Sequence, residues 1–263
     1  MTEAYIVQLK GVSKSFGAVR AVKNVDLELR RGEILGIVGD NGAGKSTLMK
    51  LLSGILIPDE GEIYINGEKV NIQNPQDARA LGIEMIYQDL ALFNNLTVSD
   101  NVFIGRERTK HFLGLRFLDK RGMNRETEEL LGRLSILINS VKAYVQNLSG
   151  GQRQMVAIAR AVAFEANTKI LIMDEPHAAL GVAEADTVSE LIRGLHKHGL
   201  SVIVISHRIP ELLTVVDRVM VLKRGERVAI REASKTTVEE CVNLIVTGGN
   251  GSRDVTMQTQ PAV

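Results

Sequence analysis

Residues 39–47 read Gly-Asp-Asn-Gly-Ala-Gly-Lys-Ser-Thr, between a β-branched run from Glu33 to Val38 and a helical pattern from Lys45 to Ser53. A strand must enter such a loop and a helix must leave it, so the chain is expected to be an α/β protein. Gly39, Gly42 and Gly44 let the backbone turn with its N–H groups pointing inward, and the helix that follows begins with unpaired donors and the positive end of its dipole. That pocket calls for an anion. Lys45 can set a point charge between two terminal phosphates, the Ser46 hydroxyl can fill one position on a Mg²⁺ bridging them, and Thr47 adds a further donor. The loop predicts a bound nucleotide.

Other polar groups stand at strand ends. Lys169-Ile-Leu-Ile-Met-Asp174-Glu175 reads as a buried parallel strand closing on two carboxylates, and successive side chains of a strand point to opposite faces. Asp174 therefore suits the outer shell of the Mg²⁺ held by Ser46, while Glu175 can reach a water attacking the γ-phosphate. The short strand Ile83–Tyr87 leads into Gln88, and the buried strand Leu200–Ser206 leads into His207. Crevices of α/β sheets open at this edge, so Gln88 can hold water or Mg²⁺ and His207 can contact the γ-phosphate.

A second helix start lies about 100 residues beyond the first. Leu148-Ser-Gly-Gly-Gln152 opens a helix reaching Ala163, with Ser149 as N-cap and with Gly150 and Gly151 leaving the first N–H groups uncovered. Two such starts could hold one nucleotide from both sides. Between Asp89 and Ala143 strand signals vanish and two amphipathic helices are expected, Thr97–Ile104 and Arg125–Leu137, capped by Thr97 and Asn124. The Lys- and Arg-rich stretch Arg106–Arg121 has little aromatic interleaving, which favours a solvated or partner-facing surface over a nucleic-acid patch.

Toward the N-terminus, Tyr5–Leu9 and Val25–Leu29 alternate as strands, joined by a turn-rich link from Gly11 to Gly17. Phe16 in that link either stacks on an adenine ring or anchors the loop in the core. Asn66-Gly67 signals a hairpin that adds antiparallel strands, and Asn74-Pro75 opens a helix through Ala80. Helices are also expected over Glu184–His198 and Thr237–Val246, with a hairpin turning at Gly225. His196 and His198 stand two apart, off a common helical face, which argues against a metal pair. Beyond Gly248 the Gly-, Ser- and Gln-rich tail, 248–263, is expected to be disordered.

Composition bounds the partners. A formal net charge of +1 over 263 residues argues against binding nucleic acid through overall charge. The lone Cys241 cannot close an internal disulfide and reads as a buried bystander. No secretion signal opens the chain, and no apolar run approaches the roughly 20 residues needed to cross a bilayer. If the protein acts at a membrane, another chain supplies the span.

Taken together these motifs resemble the nucleotide-binding subunit of ATP-binding cassette (ABC) transporters from Phe16 to Val246. Gly39, Asp40, Asn41, Gly42, Ala43, Gly44, Lys45, Ser46 and Thr47 match the family's Walker A motif, Gln88 its Q-loop, and Leu148 to Gln152 its LSGGQ signature. Ile170 to Glu175 match Walker B with its catalytic glutamate, His207 the switch histidine, and Phe16 the adenine-stacking aromatic. The resemblance implies a RecA-like P-loop core with a mainly parallel sheet and an antiparallel β subdomain, 1–88 and 164–247, plus a helical subdomain, 89–163. It also implies a head-to-tail homodimer with ATP and Mg²⁺ between Walker A of one copy and Ser149, Gly150, Gly151 and Gln152 of the other. Transmembrane permease subunits, and through them a sugar-binding protein outside the cell, are the implied partners at the cytoplasmic face of the bacterial cell membrane.

Within the family, Tyr87-Gln-Asp-Leu-Ala-Leu92 and Ala178-Ala-Leu-Gly-Val182 look like the cassettes of bacterial ribose, xylose and fructose importers, most of all the single-cassette fructose type. Two positions depart from the general pattern. Gly181 replaces the D-loop Asp, and His177 replaces the Thr after Asp-Glu-Pro, read as a tolerated exposed substitution. A non-transport cassette acting in DNA repair or translation is the alternative, although those relatives usually carry coiled-coil insertions or fused cassettes. A small-molecule phosphoryl transferase on the same loop would leave LSGGQ unexplained.

Overall fold

The computed structural model describes residues 5–112, 115–163, 168–197 and 199–249. Its centre is a six-stranded sheet of β3 (Ile34–Val38), β6 (Ile83–Ile86), β9 (Ile170–Asp174), β10 (Ser201–Ile205), β11 (Arg218–Lys223) and β12 (Glu226–Glu232), in the order β12-β11-β3-β10-β9-β6. The first five are mutually parallel, and β12 closes one edge antiparallel to β11. A second, antiparallel sheet has the order β2-β1-β4-β5, from β1 (Tyr5–Phe16), β2 (Val19–Arg30), β4 (Glu60–Ile65) and β5 (Glu68–Val70). The hairpin at Asn66-Gly67 thus belongs to a separate antiparallel sheet, the β subdomain that the resemblance implied.

The parity of each central strand decides which layer its side chains join. Leu35, Ile37, Ile170, Ile172, Ile203 and Ile205 pack toward α1 (Lys45–Leu52) and the antiparallel sheet. Ile34, Val38, Leu171, Met173, Val202 and Val204 face the opposite way. There they meet α5 (Gly150–Val162) and α6 (Val182–Lys197), among other helices. Burial on both faces explains why these strands read as unbroken aliphatic runs.

Polar caps set several helix starts. Asn74 accepts from the Asp77 N–H to open α2 (Pro75–Ala80), Thr97 from Asp100 to open α3 (Val98–Phe103), and Thr237 from Glu240 to open α8 (Val238–Thr247). Two-residue turns with both φ angles positive join β4 to β5 at Asn66-Gly67 and β11 to β12 at Arg224-Gly225. Cys241 is buried, and α7 (Ile209–Leu213) follows β10.

Several expectations need correction. Gly11–Phe16 is not a link: β1 runs through it, with bulges between Leu9 and Val12 and again before Ser15 that absorb Gly11 at φ 61° and bury Val12. Strand signals do not vanish after Asp89, because β7 (Thr109–Phe112) and β8 (Leu115–Leu118) pair as a hairpin. Its strands are four residues long and β8 is exposed throughout, so burial left no alternation to read. The second helix there, α4 (Lys120–Arg133), starts earlier than expected because Asp119, not Asn124, accepts the Gly122 N–H. It ends before Leu137 because Ser135 takes φ 55°. Several cations of this segment are paired, Arg106 with Glu84, Arg108 with Glu126 and Lys120 with Asp100. The expected ends at His198 and in the tail from 250 onward lie outside the described residues.

Candidate active site

Parallel pairing aligns the strands' C-terminal ends. Ile205 pairs with Asp174 on one side and Ile37 on the other, and Ile86 pairs with Met173. Residues just beyond these positions, the loop from Gly39, Glu175, His207 and Gln88, therefore emerge at one edge of one sheet.

The loop itself is built on glycine. Gly39 has φ 154°, and a Cβ there would lie 2.2 Å from the Leu222 carbonyl oxygen. Gly44, at φ 100°, is the N-cap of α1, where a Cβ would lie 2.5 Å from the Ala21 carbonyl oxygen. Both obstacles are backbone, so neither can step aside. The same Gly44–Ala21 contact seats the β1–β2 hairpin against the loop. At the tip of that hairpin Phe16 pairs with Val19 and is 48% exposed, which removes the core-anchor reading and leaves an open aromatic face.

Lys45 is buried, and its Nζ donates to the Gly39 carbonyl at 2.7 Å and the Asp40 carbonyl at 3.0 Å. An ammonium has a third proton to offer. Burial pushes its pKa down, opposed by the negative charges of Glu175, Asp174 and Asp40, in that order. Asp174 follows the parity of Ile170 and Ile172, so its carboxylate faces α1, on the side of Ser46. Burial raises its pKa first, and neighbouring Glu175 raises it further, while Ser46, Lys45 and Lys50 pull it down. A half-buried acid beside a second acid and a hydroxyl is a set of hard oxygens that suits Mg²⁺.

Glu175 breaks the alternation. It adopts φ 56° with its N–H donating to the Ile205 carbonyl at 2.9 Å, and its Oε2 lies 2.8 Å from His207 Nδ1. The carboxylate is 13% exposed and the imidazole 63%, so the pair stands where water can arrive and an acid can hold it. Gln88 is exposed beyond β6. The loop after it is pinned by Arg160 of α5, which donates to the Leu90 carbonyl at 2.6 Å and the Ala91 carbonyl at 2.7 Å. That arginine, alone in the apolar run from Met155 to Val162, was the sequence signal for this tether.

Ser149, Gly150, Gly151 and Gln152 lie elsewhere. Among the described residues no hydrogen bond or ion pair joins them to residues 39–47. Ser149 caps α5 in a capping box: its Oγ accepts the Gln152 N–H at 3.3 Å and its own N–H donates to Gln152 Oε1 at 3.1 Å. Of the two glycine N–H groups expected to be uncovered, that of Gly151 is engaged, because it donates to Glu184 Oε1 at 3.3 Å. His177 also differs from expectation. It is 1% exposed, inside the turn closed by the Ala178 N–H donating to the Glu175 carbonyl, with its Nε2 3.0 Å from Ser189 Oγ on α6.

A glycine-built loop around a buried lysine, with a carboxylate–imidazole pair at the same sheet edge, offers the groups that phosphoryl transfer to water uses, and the fold that carries them is that of a P-loop nucleotide hydrolase. Residues 22–178 match the ABC transporter family model. The chain belongs to this family, an ATP-binding cassette with ATPase activity coupled to transport. It is 47% identical over 240 residues to a xylose/arabinose import ATP-binding protein of Sulfolobus acidocaldarius, covering 91% of this chain and 93% of that one. It is 42% identical over 246 residues to a fructose import ATP-binding protein of Rhizobium meliloti, covering 92% and 94%. Against a ribose import ATP-binding protein of Caldanaerobacter subterraneus, 44% identical, it covers 47% of the relative's length. The fold superposes on an ABC transporter cassette in its ADP conformation with TM-score 0.77 and 26% identity, covering 92% of this chain and 95% of that one. A dimeric bacterial ABC transporter cassette matches with TM-score 0.71 and 28% identity, covering 86% and 98%.

Proposed function

We propose that this chain is the ATP-binding subunit of an importer for a monosaccharide such as xylose, fructose or ribose. The observation that carries the hydrolytic part is the Glu175 carboxylate held 2.8 Å from His207 at the sheet edge that also bears the Lys45 loop. The sugar class rests on near-full-length likeness to the xylose/arabinose and fructose import proteins.

In this reading Gly39 to Thr47 wrap the phosphates with backbone N–H groups, Lys45 neutralises their terminal charge, and Phe16 stacks on the adenine. Glu175 takes the proton of the attacking water, and His207 orients Glu175 and senses the γ-phosphate. Ser46 directly, with Asp174 and Gln88 around it, would hold Mg²⁺, which draws charge off the phosphate oxygens when bound. Ser149 to Gln152 of a second copy complete the site in a head-to-tail homodimer. Among the described residues no helix is long and apolar enough to cross a membrane. Permease subunits would therefore hold the cassette at the cytoplasmic face of the cell membrane, and an external sugar-binding protein would select the cargo. Residues 89–163 form the lever that meets the permease.

The test is Glu175→Gln. Hydrolysis should fall about 10²- to 10⁴-fold, the range for losing a general base, while ATP binding persists. Unchanged turnover removes Glu175 from this role. Co-purification of the cassette with a multi-spanning membrane protein, and sugar uptake that fails with the same variant, tests the transport half.

A further inference from the structure

Glu184 reaches two helix starts at once. Its Oε2 accepts from the Gly181 N–H at 3.4 Å, where the Gly181 carbonyl accepts the Ala185 N–H at 2.9 Å and so opens α6. Its Oε1 accepts from the Gly151 N–H at 3.3 Å, and the nearby Ser149 hydroxyl helps hold that carboxylate's pKa below its usual value. The first contact is the reach-back half of a capping box and accounts for an acid at the third position of α6. Glycine at 181 has no side chain of its own to serve as the other half. The second contact serves no need of α6, because it spends the carboxylate on the neighbouring helix. Local shape supports it: a Cβ on Gly151 would lie 3.0 Å from Glu184 Cβ, so glycine there lets the acid lie against the turn.

The Ser149 Oγ accepts the Gln152 N–H at 3.3 Å, and the Gly151 N–H is directed at Glu184. That N–H is a donor that a triphosphate carried by a second copy would use. That phosphate would arrive at a turn where another anion holds the same proton, and like charges at such range repel.

We propose that Glu184 is a resident competitor for the signature turn: it holds the Gly151 N–H in the open cassette and must release it before ATP on a second copy can dock. It thereby sets the ATP concentration at which two cassettes close. The exchange moves no covalent bond. The Gly151 N–H turns from carboxylate to phosphate, while Glu184 keeps its contact with Gly181 at the start of α6. This inference rests on the two-copy reading above.

The experiment uses the full chain carrying Glu175→Gln, so that ATP is bound but not consumed, and follows dimer formation by analytical ultracentrifugation across an ATP titration. Adding Glu184→Gln removes the charge and keeps the shape. Half-dimerisation should then need about tenfold less ATP, which corresponds to about 1.4 kcal/mol. Binding of a fluorescent ATP analogue to dilute, monomeric protein should not change, because among the described residues no hydrogen bond or ion pair joins Glu184 to the Lys45 loop. Glu184→Asp keeps a carboxylate to cap α6 but shortens its reach to the Gly151 N–H. It should shift the titration in the same direction, and it serves if the glutamine variant folds poorly. An unchanged or higher ATP requirement in a folded variant overturns the proposal while leaving the dimer reading intact. If the Glu175→Gln parent stays monomeric at saturating ATP, the two-copy reading fails and this inference falls with it.

Discussion

The stability of this cassette should carry an acid-sensitive component from His177, and its size can be worked out from the site. The ring is 1% exposed, its Nε2 is engaged with Ser189 at 3.0 Å, and its Nδ1 has no hydrogen-bond partner among the described residues. Burial leads in pushing its pKa below the usual value near 6.5, and Arg208 adds to this, while Glu211 and Glu175 oppose it. The unfolded chain therefore takes up a proton near pH 6.5 that the folded chain refuses. Stability is full above that pH and is lost as pH falls toward the depressed folded pKa, at up to about 1.4 kcal/mol per pH unit. For a chain of this size that is a fall in Tm of roughly 3–6 °C per unit within the window. His177→Phe keeps a ring of similar volume and removes the titration. Thermal melts of both proteins from about pH 8 down to about pH 5, at matched ionic strength, should give traces offset by a constant above about pH 7, with the wild type falling more steeply than the variant below about 6.5. Parallel traces across the whole range would show that His177 does not carry the effect.

Two further outcomes follow from other buried contacts. Arg218, 11% exposed, donates to the Glu33 carboxylate, itself 5% exposed, and to the Glu28 carbonyl at 2.9 Å. Arg218→Met strands a buried charge and should cost about 3–5 kcal/mol, read as a Tm lower by roughly 6–20 °C, whereas a change within a degree or two would mean Glu33 finds water. Arg160→Met frees the Leu90 and Ala91 carbonyls, so hydrogen exchange at the Ala91 and Phe93 amides should quicken about tenfold or more, with partial rescue by Arg160→Lys. Unaltered exchange there would mean Arg160 does not restrain the loop beyond Gln88.

Where a residue's role depends on its immediate chain neighbours, it could be read without coordinates. Thr97 and Ser149 cap the helices that follow them, and Asn74 opens α2, because an N-cap needs only a short acceptor and the N–H two or three residues on. Asn124 fitted the same rule but lost the start of α4 to Asp119. Asn66-Gly67 turns a hairpin because both positions tolerate positive φ. The central strands were legible as aliphatic runs, since helices or a second sheet cover both their faces.

What escaped was decided at a distance. Gly11 looked like the end of a strand, but pairing with β2 and β4 carries β1 past it through bulges that no local pattern announces. His177 looked exposed beside two acids and is buried because its turn folds beneath α6. Glu184, a surface-like acid at the start of a helix, meets Ser149 and Gly151, more than 30 residues earlier, because α5 and α6 pack together.

The order of residues by itself determined the phosphate loop, the paired acids at a strand end and the glycine-lined start of α5, since each is a short-range consequence of glycine freedom, strand parity or a capping hydroxyl. Only the tertiary structure decided that Asp174 faces Ser46, that Glu175 turns to His207, and that Glu184 accepts the Gly151 N–H. Those pairings depend on strand register and helix packing, which join residues that the linear chain holds far apart.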